Sequence, residues 1–476
     1  MKKLRSWADR QVGVMLADYF PRPLTVLDRD ISLGIVQATL DYAVRFGLSR
    51  IRAADILVLD ESGAVTVHAR SPWLTGRCIY RLPIGIVTTL IGMRYRPSEW
   101  IRNDLQSRLR EIAALLGRDL DEASDADLVA MIQHSVALRV AMFASRRRHF
   151  LPSFTIKIVI DQLTRFIPNL THAGDLTGQD HPTAIFRRDL QRLALIWQQV
   201  VDGSADADEL DRATATFMAT HGGRGQTFIP LVSDPVWDTH PGDLLAVLPA
   251  LLATSDSHAP AMPVPLPAAK RGGALARRLS EISTERDWMA FGYEQATRIM
   301  RNPVRVLGAR WTEADLLKSP DDVMHLRLIE IEQIIATGAP PDPDLIAARR
   351  SAFTRPAPTS APLTLSGEDL RGVPAASGSF IGVARVVTSP TNFASLQRGE
   401  ILVCQMTSPA WLPLLMVAGA VVSDLGGILS HAAIVAREFG IPAVTGTGDA
   451  TVRLISGATY VVDGDAGIVR PYVGGP

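Results

Sequence analysis

The sequence predicts a multidomain α plus α/β protein, with a mainly helical part over residues 1–354, a Pro-rich linker over 355–367 and a strand-rich part over 368–476. Three observations predict it. The 476 residues exceed what a single hydrophobic core organises. Before the linker, apolar residues recur at three- and four-residue spacings, whereas after it short β-rich runs are bounded by Gly, Pro or Asp. The linker itself, Arg355 to Gly367 (RPAPTSAPLTLSG), carries prolines that favour an extended, semi-stiff segment.

The composition fits a globular chain, with 47% hydrophobic and 21% charged residues. Lys plus Arg equals Asp plus Glu at 49 each, so no net charge steers a polyanion, and nucleic acid is disfavoured as a partner. The basic run Arg146, Arg147, Arg148, His149 ends a helical pattern and reads as a solvated face or a helix C-terminus. The two cysteines, Cys78 and Cys404, lack metal-ligand spacing; they form no disulfide framework and suit a reducing cytoplasm. The start, MKKLRSWADRQVG, has no apolar run behind its basic residues, unlike a secretory signal. No uninterrupted apolar run reaches the roughly eighteen residues of a membrane span. The expectation is a cytoplasmic protein with no membrane partner.

In chain order, Asp55 to His68 (DILVLDESGAVTVH) predicts a hairpin turning at Ser62-Gly63. Leu105–Leu116, Leu190–Val201 and Leu275–Met300 predict amphipathic helices. Between the last two, the Pro-rich Ser255–Pro267 segment predicts a loop. Met324 to Ala336 predicts another helix, with Asp321 and Asp322 ahead of it as N-terminal signals. After the linker, Gly378–Val387, Glu400–Cys404, Ala420–Ser423 and Ala458–Val462 predict strands. Among them Ser430–Phe439 predicts one helix, stopped by Gly440 and Pro442.

Chemistry concentrates in Ser423 to Val444, SDLGGILSHAAIVAREFGIPAV. A strand ends at Ser423, a turn follows at Gly426-Gly427, and a helix opens at Ser430-His431. Glycines let backbone approach a ligand or take positive φ. The first turn of a helix presents unpaired N–H groups and a partial positive charge, both attractive to phosphate. A histidine there can be neutral near pH 7, act as a nucleophile and then carry a phosphoryl group. Ala432 and Ala433 leave it room, while Arg437, six residues on and off that face, is a candidate to screen charge. On the residues alone, a histidine at a helix start is more often a cap or a surface group than a nucleophile.

The segment GGILSHAAIVAREFGIPAV resembles the active-site signature of the swivelling phosphohistidine domain of phosphoenolpyruvate-utilising enzymes, a group that includes rifampicin phosphotransferase and phosphoenolpyruvate synthase. The resemblance runs over residues 367–472, through Gly399–Pro413 (GEILVCQMTSPAWLP) and the closing VDGDAGIVR. It implies a β/β/α swivelling domain in which His431 carries the phosphoryl group, with Gly426, Gly427, Ser430 and Arg437 as phosphate-binding candidates. It also implies charging by an ATP-grasp domain using ATP and Mg2+. The helical part shows no Gly-rich loop with a phosphate-binding Lys and no acidic pair for magnesium, so the resemblance implies a separate ATP-grasp partner and no metal ligand in this chain.

Residues 1–355 resemble the substrate-binding domain of the same group in three pieces: FPRPLTVL at Phe20–Leu27, FMATHGGRGQTFIPLVSDPVW at Phe217–Trp237, and Glu285–Leu326 ending DDVMHL. Read bottom-up, His221, Gly222, Gly223, Arg224 and Gly225 make a cationic turn after a helix, in which Arg224 can hold a phosphate or carboxylate; on the residues alone a helix C-cap with a surface arginine is the preferred reading. The resemblance makes Glu285 a candidate base for an acceptor hydroxyl and Arg286 a phosphate-binding candidate. The group commonly shows Arg-Glu-x-x-Lys there, whereas this chain has Thr284-Glu285-Arg286-Asp287-Trp288. The combined expectation is a phosphohistidine subunit of a split ATP-dependent phosphotransferase acting on a small-molecule hydroxyl or carboxylate, in natural-product biosynthesis or antibiotic modification. Alternatives are a binding or regulatory protein that keeps the fold without transfer, a protein-to-protein phosphorelay, and a component that activates an acceptor for dehydration or condensation.

Overall fold

The structure is a computed structural model. It describes residues 20, 24–44, 50–61, 63–68, 97–163, 181–224, 230–234, 236–239, 241–246, 248–252, 274–354, 369–388, 395–427 and 430–472. The linker 355–367 and the loop 255–267 lie outside these residues, as do the side chains of Arg146–His149 and Arg286. Contacts divide the chain into two compact units, one of residues 1–154, 229–234 and 289–359, the other of 155–228, 235–288 and 360–476.

The first unit is mainly helical. Its hairpin pairs β1 (Leu57–Leu59) with β2 (Val65–Val67) antiparallel, and Gly63 at the turn takes φ 84°, a conformation that favours glycine. A helical run over 97–116 includes a π turn at Ile101–Leu105 before the regular helix Gln106–Leu116. The helix Asp125–Leu163 continues past Arg146–His149, so that basic run is not a helix C-terminus. Its segment Asp125–Ser145 is long and apolar enough to cross a membrane, and half of it is buried. Leu128, Val129 and Ile132 share a core with Leu27, Val304, Leu307 and Trp311, the packing of a core helix.

A buried polar network ties this unit together. Asp28, in the helix Val26–Val44, accepts from Val232 N at 2.8 Å and from the Ser233 hydroxyl. Arg301 donates to the carbonyls of Val232 and Leu231 at 3.0 and 2.6 Å. The segment 230–234 is thus held from both sides by charge-assisted bonds that satisfy its backbone. The helix expected over Met324–Ala336 starts later, because Ser319 and Asp322 cap a 3-10 turn at Pro320–His325 and Leu326 is extended. The regular helix is Leu328–Thr337, with Glu330 capping its start.

The second unit holds the helices Pro182–Val201 and Ala207–His221, two short helices at Pro241–Leu245 and Leu248–Leu252, and a mixed sheet. The long helix Ala274–Glu313 contributes to both units. The sheet comprises β3 (Leu370–Arg371), β4 (Val373–Ala376), β5 (Ser379–Val386), β6 (Ile401–Cys404), β7 (Ala420–Ser423), β8 (Ala443–Thr445), β9 (Thr459–Asp463) and β10 (Ile468–Pro471). These eight strands run in the order β3-β10-β9-β5-β6-β7-β8-β4. β5 to β8 are mutually parallel, and the flanking strands are antiparallel. Every residue of β6 and β7 is buried, as a parallel sheet covered on both faces requires. The architecture is therefore a mainly helical region followed by an α/β domain, as expected.

Candidate active site

His431 stands where two adjacent parallel strands end. β7 stops at Ser423, and the chain passes Gly426 and Gly427 into the helix His431–Phe439, which returns to β8. β6 stops at Cys404 and leads to Thr407. Ligands of open α/β sheets bind at the carboxyl ends of such strands. The Thr407 hydroxyl lies 3.3 Å from His431 Nδ1. When Nδ1 carries the proton and the hydroxyl accepts it, the lone pair resides on Nε2, the form required of a nucleophile.

The local sequence builds this geometry. Ser430 is the N-cap, extended at φ −68° and ψ 160°, and its hydroxyl accepts from Ala433 N at 3.3 Å. Gly426 takes φ 122°, and a Cβ there would come within 3.1 Å of Ser430 Cβ and Oγ. Ser430 N donates to Gly427 O at 2.9 Å, closing the turn. Gly440, at φ 65°, caps the other end of the helix. Asp424 accepts from Thr451 N at 3.0 Å and from the Thr451 hydroxyl, anchoring the turn from below; burial pushes its carboxyl above the usual range despite those bonds.

Arg437 donates from Nη1 to Ala375 O at 2.7 Å, tying the helix to β4. Burial pushes its guanidinium down to about 10, with Glu438 pulling the other way. Among the described residues, no cluster of three His, Cys, Asp or Glu side chains is placed to hold a metal ion.

The helical residues singled out in the sequence are placed in the same unit. His221 is the last residue of the helix Ala207–His221, buried, with Nε2 2.9 Å from Asp189 and its ring between Phe186 and Phe217 at 5.1 and 4.8 Å. Arg224 is also buried; its guanidinium sits 4.4 Å over the Phe186 ring and Nη2 lies 3.4 Å from Pro182 O. His221 and Arg224 are therefore packed into an aromatic core rather than displayed at a surface cap. Glu285 is fully buried in the helix Ala274–Glu313.

Two features escaped sequence reasoning. Thr407 lies in the Gly399–Pro413 segment, but nothing local marks its contact with His431. The other is a buried pair, His181 and Asp287, with Nδ1 and Oδ2 2.7 Å apart and side-chain exposures of 3% and 10%. Asp287 also accepts from Thr183 N and Oγ1 at 2.8 and 2.6 Å. Burial pushes His181 down, but the hydrogen bond and charge of Asp287, helped by Glu438, leave it above its ordinary value. Burial pushes Asp287 up, but its bonds to His181 and Thr183 hold it below the usual carboxylate range. His181-Pro182-Thr183 before an apolar run is a legible helix start. Its remote partner is not.

Residues 396–467 match the family described as PEP-utilising enzyme, mobile domain. An uncharacterized protein of Mycobacterium tuberculosis is 32% identical over 64% of this chain and 36% of its own length. A probable phosphoenolpyruvate synthase of Staphylothermus marinus is 49% identical over 21% of this chain and 12% of its own length. Rifampicin phosphotransferase of Streptomyces sviceus is 32% identical over 34% and 20%. The chain thus spans about a third or less of the length of these curated relatives. A solution structure of Enzyme I aligns at 13% identity over 61% of this chain and 78% of its own, with a TM-score of 0.18, too low to carry an argument.

Proposed function

We propose that this chain, which carries a PEP-utilising enzyme mobile domain over residues 396–467, is a phosphotransferase component whose His431 takes a phosphoryl group and passes it to a small-molecule hydroxyl or carboxylate. The observation that carries this reading is the placement of His431 at the first position of a helix, behind the Gly426 turn and the Ser430 cap, with Thr407 on Nδ1. Phosphate carried there meets the N–H groups and positive end of the helix. Gly427 completes the turn, and Arg437 orients the helix.

In this reading a separate ATP-grasp protein charges His431 in the cytoplasm, using ATP and Mg2+ that it binds itself. The acceptor is held by the helical part of the same unit, to which His181, His221, Arg224 and Glu285 belong. Phosphorylation there activates a biosynthetic intermediate or inactivates an antibiotic. The names of the relatives, a probable phosphoenolpyruvate synthase and a rifampicin phosphotransferase, support phosphoryl transfer as the class of chemistry.

The test is peptide mapping after incubation with an ATP-grasp protein encoded nearby, ATP and Mg2+. The expected result is an acid-labile, base-stable phosphate on His431 that His431→Ala lacks. No phosphate in the presence of a demonstrably active partner would sink the carrier reading. The isolated chain is expected to leave ATP intact, and robust conversion of ATP to AMP by the pure protein would rule out the split arrangement.

A further inference from the structure

His181 directly precedes the helix Pro182–Val201 and has the extended backbone of a cap residue. A cap alone explains Asp287, whose carboxylate accepts from Thr183 N and Oγ1 at the open end of that helix. It does not explain the imidazole. Placing a titratable ring 3% exposed in a core costs more than an apolar or amide side chain would. In the neutral ring, the 2.7 Å bond to the Asp287 carboxylate keeps the proton on Nδ1 and leaves the lone pair on Nε2. A carboxylate fixed by three bonds also stabilises the imidazolium formed when Nε2 gains a proton.

The ring belongs to the unit that holds His431. Phe186 and Leu190 of the helix Pro182–Val201 share one core with Ala432, Ala433, Val435 and Ala436 of the His431 helix. Glu438, whose charge reaches His181, is seven residues after His431 and therefore on the same helix face, about 10 Å along the axis. Glu285 precedes Asp287 by two residues and points about 200° away around its helix, so the two carboxylates do not serve one pocket.

We propose that His181, oriented by Asp287, is the base that takes the proton of an alkyl hydroxyl acceptor as its oxygen attacks the phosphoryl group on His431; this rests on the carrier reading above. The acceptor O–H proton passes to His181 Nε2 and the O–P bond forms. The P–N bond to His431 breaks, and its electron pair returns to the ring nitrogen. His181 is the catalytic residue in this step, Asp287 a positioning residue, and Glu285 is relieved of the role of base.

The full chain is charged chemically with phosphoramidate, and methanol is supplied as a minimal hydroxyl acceptor. Methyl phosphate is followed by phosphorus NMR between pH 5.5 and 8.5, with His431→Ala as background. In the wild type its formation is expected to rise with pH through the titration of His181, opposite in direction to acid-promoted loss of the N–P bond. His181→Gln is expected to slow it by about 100-fold and to flatten the profile. Asp287→Asn is expected to move the profile to lower pH. If His181→Gln does not fold, Thr183→Val removes one donor from Asp287 without removing either partner, leaves the carboxylate a stronger acceptor for His181 and is expected to move the profile to higher pH. Equal rates in wild type and His181→Gln, or an unmoved profile in Thr183→Val, would overturn the assignment while leaving a charged His431. Failure of His431 itself to hold phosphate would overturn both this assignment and the carrier reading.

Discussion

His181 and Asp287 make a pair whose contribution to stability depends on pH at both ends. Asp287 is held below its ordinary value of 3.8, so its contribution is present above that value and fades as pH falls through the depressed native one. His181 is held above its ordinary value of 6.5, so its contribution is full below 6.5 and fades as pH rises through the elevated native one. The pair therefore stabilises most between about pH 4 and 6.5, the window bounded by the two unfolded-state values. Asp287→Asn is expected to cost about 1–3 kcal/mol in urea denaturation, with a larger loss at pH 5.5 than at pH 8.5. An equal loss at both pH values would show that Asp287 acts only as a helix cap. His431 was legible in the sequence because the residues that build its surroundings are its own neighbours, from Gly426 to Gly440. His181 was not legible, because its partner lies 106 residues away and only tertiary packing joins them.

The turn, cap and helix around His431 form one element, and strain in any part of it reaches the histidine. Gly426 is the sensitive point, since its φ of 122° disfavours any side chain and the added Cβ would crowd Ser430. Gly426→Ala is expected to destabilise the protein by about 1–2 kcal/mol and to lower the extent of His431 phosphorylation by the proposed ATP-grasp partner without abolishing it. Ser430→Ala, which removes only the cap bond to Ala433, is expected to cost about 1 kcal/mol in thermal denaturation and to affect phosphorylation less. A larger phosphorylation defect in Ser430→Ala than in Gly426→Ala would assign the hydroxyl a direct part in transfer. The four strands expected after the linker were read within a residue or so because their apolar runs are short and bounded by turn residues, as in Ile401–Cys404 and Ala420–Ser423, whereas β3, β4, β8 and β10 were not delimited. The helix ends were read less well. Pro182–Val201 begins eight residues before the expected Leu190, because its first turns are capped from Asp287 rather than by a neighbour. The Met324 segment began too early because Asp322 serves the preceding 3-10 turn.

At the scale of the whole molecule, the Pro-rich linker suggested a clean cut between a helical part and the phosphohistidine domain, but side chains from both contribute to one core. Phe186, Leu190, Phe217, Trp237, Leu248 and Leu251 belong to the same buried cluster as Trp411, Leu412, Leu415, Ala432 and Ala436. Arg398 adds a bond from Nη2 to Leu251 O at 3.2 Å. The sequence could not reveal this, since amphipathic periodicity shows which face of a helix is buried and not what covers it. Under the proposed function, a domain that travels between a charging partner and an acceptor must expose such a surface each time it leaves. Burial worth about 25 cal/mol per Å2 of apolar area therefore biases the resting chain toward the packed arrangement. The consequence is measurable with a fragment of residues 368–476. Stripped of the helical side chains, it is expected to bind a hydrophobic dye strongly and to melt well below the intact chain. A fragment that binds no dye and melts with the intact chain would mean that the C-terminal domain keeps its own core. The helices would then be a surface it visits rather than one on which it depends.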